Sequence, residues 1–64
     1  MDFSQNLRVE MSRANATNKW LAEAVGLSLN SIARYRSGLT IPTVPNLYKI
    51  QQALGCSMNA LFAE

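Results

Sequence analysis

The chain contains no histidine, which excludes a His-based triad, a His metal site and imidazole acid–base chemistry. Its one cysteine, Cys56, cannot form an internal disulfide, and a single thiol makes no zinc site; this usage suits a reducing cytoplasm. Charged residues are sparse, at 16%, and the four acids Asp2, Glu10, Glu23 and Glu64 are too scattered to form a carboxylate pair, so no enzyme is expected. No apolar run approaches the roughly 20 residues that span a bilayer. The start, Met1-Asp2-Phe3-Ser4-Gln5, has neither the basic nor the apolar region of a signal peptide. No membrane, metal, cofactor or small-molecule substrate is therefore expected.

What the chain does have is apolar content. Hydrophobic residues make up 48% of its 64 residues, too many for a disordered tail. The length allows one domain, residues 1–64, whose core is small because a chain of this size buries only about 60% of its unfolded surface.

The turn residues divide the chain into five short helical stretches. In the first, from about Phe3 to Ala14, Phe3, Leu7 and Met11 form one apolar stripe; Asn15, which tolerates the left-handed conformation, closes it. The second opens at the N-cap Thr17 and carries Trp20, Leu21, Ala24 and Val25 on one face before Gly26. Ser28 caps the third, which runs through Ile32 and Tyr35 to Gly38. After a loop ending at Pro42, the fourth starts near Thr43, with Pro45 in its first turn and Leu47, Ile50 and Leu54 facing inward, and stops at Gly55. Ser57 caps a last turn or two containing Met58, Leu61 and Phe62. No period-two alternation persists, so the expected class is all-α. At helical spacing Trp20 and Tyr35 read as core, with stacking platforms as the alternative. Cys56, Met11 and Met58 read as core fillers.

The second and third stretches are separated only by Gly26-Leu27-Ser28, a short turn with glycine of the helix-turn-helix kind. Small residues, Ala22 and Gly26, stand where two steeply crossing helices would approach, and Val25 and Ile32 are placed to pin both to the core. A helix held this way projects its N-terminal half, which the major groove of B-DNA is wide enough to admit.

From Thr17 to Pro42 the sequence resembles the phage repressor and Cro type of helix-turn-helix DNA-binding domain, in Thr17, Leu21-Ala22, Val25-Gly26, Ser28, Ser31-Ile32, Gly38 and Pro42. The stretches Asn46–Ile50, Ala53–Ser57 and Ala60–Phe62 fit that family's last two helices, so the likeness extends over nearly the whole chain. It implies a compact five-helix, lambda-repressor-like domain with the helix-turn-helix at helices two and three.

The same resemblance places Ser28, Leu29, Asn30 and Arg34 against base edges. Arg34 suits guanine O6/N7 and Asn30 adenine N6/N7, each good bidentate contact being worth roughly 1–3 kcal/mol of discrimination. Leu29 can touch a thymine methyl; alternatively it completes a hydrophobic edge or meets a neighbouring chain. The backbone set comprises Thr17, Asn18 and Lys19 at the positive end of helix two, with Ser31, Arg36, Ser37 and Thr40. Thr17 and Ser28 are caps first.

Many family members pair an Arg at the position of Met11 with a Glu at that of Arg36; here both partners are replaced. Removing only one would strand a partly buried charge at roughly 3–5 kcal/mol, whereas replacing both is tolerable. Arg36 is then expected to point outward, toward phosphate.

The implied function is a sequence-specific transcriptional regulator that binds a pseudo-palindromic double-stranded operator as a homodimer, with half-sites about one turn apart. The dimer contact would use Leu39, Ile41, Met58, Leu61 and Phe62. Location is expected at the nucleoid in the cytoplasm of a bacterial or phage-infected cell. The chain is then either a complete Cro-like protein or the DNA-binding part of a longer repressor. The rival from another class is a protein-interaction module, antitoxin-like or scaffolding, on the same fold.

Overall fold

The computed structural model describes residues 2–63. Its five helices are α1 (Phe3–Arg13), α2 (Asn18–Val25), α3 (Leu29–Ser37), α4 (Val44–Leu54) and α5 (Met58–Phe62), with no strand among the described residues. Their limits follow local chemistry. Asp2, Thr17, Ser28 and Ser57 each accept a backbone N–H three residues on through the side chain, satisfying an otherwise free donor of the first turn. The Asp2 carboxyl lies below the usual carboxylate range because the Gln5 amide and the Ser4 hydroxyl both donate to it. Thr43 precedes α4 as expected but makes no side-chain cap; Pro45 in the first turn removes one of the donors a cap would serve. Asn15, at φ 54°, closes the end of α1 in the left-handed region.

α1 packs against α3 and α5, and α2 against α3 and α4. At the centre Leu7, Met11, Leu21, Ile32, Ile50 and Leu61 are fully enclosed, with Tyr35 and Leu47 at the margin. Met58 and Cys56 are half-buried against this core, less enclosed than core fillers would be. Burial, and secondarily the nearby Glu10 carboxylate, pushes the Cys56 thiol pKa up, so it stays protonated.

Three expectations are corrected. Trp20 is not core: it is 47% exposed, and Ala24 is exposed beside it. The buried residues of α2 are Leu21, Ala22 and Val25. At 3.6 residues per turn, Trp20 lies about 150° from the centre of that arc. α2 packs against α3 and α4 through the Leu21, Ala22 and Val25 face, which leaves Trp20 on the opposite side.

Leu61, expected at a dimer contact, is completely buried. The reason lies in α1, where the buried Asn6 donates from Nδ2 to the carbonyls of Leu61 (3.0 Å) and Ala63 (2.7 Å). These bonds tie down the end of α5 and point Leu61 inward. Phe62 remains 51% exposed and meets Phe3 in a tilted ring pair at 5.7 Å. Sequence reading passed over Asn6, although it falls in the stripe Phe3, Asn6, Leu7, Glu10, Met11, where a polar residue needs a partner. Replacing Asn6 by Ala leaves the two carbonyls without their donor; unfolding free energy should fall by about 1–3 kcal/mol, read by urea denaturation.

Arg36 is the third correction. It does not point outward; it is half-buried, and its guanidinium turns onto α2.

Candidate nucleic-acid interface

The face that α3 offers is set by what the helix buries. Ile32, 0% exposed, and Tyr35 lie under it, which leaves Leu29, Asn30, Ala33, Arg34 and Ser37 uncovered. At about 100° per residue these five occupy an arc of roughly 140° along the helix. Leu29 is 54% exposed, an apolar side chain held outward among polar ones. Ser28, just before the helix, has its oxygen engaged by the Ser31 N–H at 3.1 Å and lies 3.0 Å from the Ser31 hydroxyl. Its first role is therefore the cap.

The sequence-derived base set Ser28, Leu29, Asn30 and Arg34 thus falls together at the first two turns of α3. Ala33 was missed; its signal is the spacing, four residues after Leu29 and three after Asn30. Being small, it lets a planar surface approach between its longer neighbours. Arg34 adds guanidinium donors to this face, and Asn30 adds a carboxamide with both donors and an acceptor.

The second cluster lies at the start of α2. Thr17 Oγ accepts the Trp20 N–H at 3.0 Å, and Lys19 is exposed. No hydrogen bond among the described residues uses the backbone N–H of Asn18 or Lys19. Asn18 is half-buried, and its Oδ1 accepts Arg36 Nη1–H at 2.6 Å. Donors therefore dominate this end of α2, and no acid stands in its first turn.

The remaining expected contacts are dispersed. The Ser37 hydroxyl donates to the Arg34 carbonyl (3.0 Å) at the far end of α3. Thr40 lies in the α3–α4 loop, beside a small hollow shared with Asp2, Phe3, Tyr35 and Ile41. Leu39 and Ile41 in that loop are 77% and 70% exposed. No three potential metal ligands come together among the described residues, and no helix there is long and apolar enough to cross a membrane.

The arrangement has close counterparts. The P22 c2 repressor, solved in complex with a synthetic operator, superposes with a TM-score of 0.89 over 98% of this chain and 96% of its own, at 24% identity, so the fold is shared. The cryptic phage CTXphi transcriptional repressor RstR of Vibrio cholerae serotype O1 is 36% identical over 61 residues, 95% of this chain. The chain spans about half, 54%, of that relative's length. The helix-turn-helix family pattern matches residues 13–61, from the end of α1 into α5 and across both clusters. With that match extending over most of its length, the chain belongs to the helix-turn-helix family.

Proposed function

We propose that the chain is a sequence-specific transcriptional regulator that binds double-stranded operator DNA, with α3 in the major groove. The observation that carries this reading is the α3 arc: Leu29, Asn30 and Arg34 stand exposed on a helix that Ile32 and Tyr35 anchor from beneath. Such a helix presents a fixed pattern of donors and apolar groups to base edges. Ser28 and Ala33 complete the face.

Thr17, Asn18 and Lys19 meet the sugar–phosphate backbone, joined by Ser31, Ser37 and Thr40; these contacts set register rather than sequence. The protein acts by occupying its site, and no step of chemistry is required. It works at the nucleoid in the cytoplasm.

Binding as a homodimer to a pseudo-palindrome accounts for the exposed apolar side chains away from α3. Leu39 and Ile41 stand out in the α3–α4 loop, and Phe62 is exposed on α5. A contiguous patch of exposed apolar side chains would mark an association surface, and these residues are the candidates for one. A twofold pair of α3 helices would then read half-sites about one turn of DNA apart.

Affinity for duplex DNA measured across a salt series tests the reading. The expected result is a steep linear fall of log affinity with log salt, from counterion release. Lys19→Ala should weaken all duplexes about equally and flatten that slope by about one. Failure to bind duplex at low salt, together with salt-insensitive capture of a protein by the α3 face, would favour an interaction module instead.

A further inference from the structure

We propose that Arg36 is a positioning residue for DNA binding, orienting the Asn18 carboxamide so that its N–H groups face a backbone phosphate. The inference rests on the DNA reading above, in which Asn18 approaches the backbone. Its starting point is the 2.6 Å bond from Arg36 Nη1 to Asn18 Oδ1, which joins the last turn of α3 to the first turn of α2. A guanidinium carries donors only, so the amide must turn its carbonyl oxygen toward it. The Asn18 NH2 group is thereby turned the other way, as a donor.

A second observation separates this contact from an ordinary surface bond. Arg36 Nε is enclosed and has no hydrogen-bond partner among the described residues. The side chain is thus enclosed at the base of its guanidinium, with Nη1 committed to Asn18. Met11, fully buried in α1, offers no charge to hold it. A cation retained here with one N–H unpaired is poorly explained by stability alone, since an apolar side chain would fill the same space without an orphaned donor.

The consequence is a preorganised donor set. Asn18 Nδ2–H joins the free backbone N–H groups of Asn18 and Lys19 as a further donor in the first turn of α2, and the Arg36 charge favours an anion there. Without Arg36 the carboxamide could rotate and present its oxygen to the phosphate, which repels. Arg36 need not touch DNA to contribute.

A double-mutant cycle on Arg36→Met and Asn18→Ala, read as affinity for a fixed mixed-sequence duplex, tests this directly. Arg36→Met should weaken binding about five- to tenfold in the parent and much less in the Asn18→Ala background, because the two act as one unit. In the free protein, the Asn18 side-chain amide should be ordered by NMR relaxation and become mobile in Arg36→Met at unchanged backbone order. Equal losses in the two backgrounds, or an Asn18 amide just as ordered without Arg36, would overturn the assignment while leaving DNA binding intact. A parent protein that does not bind duplex would overturn the DNA reading itself.

Discussion

Leu61→Ala is expected to remove a large share of the protein's stability, whereas Phe62→Ala next to it should be tolerated. Leu61 is 0% exposed, and α5 has no means of collapsing around a void because Asn6 holds its end in place. A buried Leu→Ala change costs about 2–5 kcal/mol. A 64-residue domain has only about 3–10 kcal/mol of stability in total. Phe62 is half exposed, and its loss removes chiefly the ring pair with Phe3, worth about 0.5–1.5 kcal/mol. Thermal denaturation followed by far-UV circular dichroism distinguishes them; a Leu61 variant as stable as the Phe62 variant would contradict the placement of α5.

Arg34→Ala carries the second large effect, on recognition rather than stability. The residue is exposed in the second turn of α3, and its removal uncovers no core. If its fork grips guanine, specific affinity should drop by about 1–3 kcal/mol, or roughly five- to 150-fold, and preference at one base position should relax. Binding to unrelated duplexes should change far less, in contrast to Lys19→Ala. Competition binding with a set of single-base operator variants resolves the two patterns. A loss that is uniform over all variants would make Arg34 a phosphate contact.

The helix-turn-helix was legible because its determinants are local. Thr17 and Ser28 are caps, Gly26 takes the left-handed turn, and Ile32 falls at the one phase that buries it. The positions proposed to read bases come from the family resemblance, and the same phase that buries Ile32 and Tyr35 leaves Leu29, Asn30 and Arg34 exposed. What escaped depends on contacts between distant parts of the chain. Trp20 looks like core by residue type, but α2 packs against α3 and α4 through Leu21, Ala22 and Val25, which turns it outward.

Asn6 bonds to residues more than fifty positions away, and those two bonds fix the end of α5, where Leu61 faces inward and Phe62 outward. The fate of Arg36 was half visible. The missing ion pair showed that its old partner was gone, but not that Asn18, eighteen residues earlier, would take the place. In each case local spacing names the candidates, and tertiary packing chooses among them.

Selection of binding sites from random-sequence duplexes, run in parallel with the parent protein and Arg34→Ala, tests the assignment of the α3 face most directly. The parent should enrich a pseudo-palindrome with half-site centres about one helical turn apart, and the variant should lose preference at one symmetry-related pair of positions. Enrichment of no common sequence, or of the same sequence with the same preferences by both proteins, would contradict it.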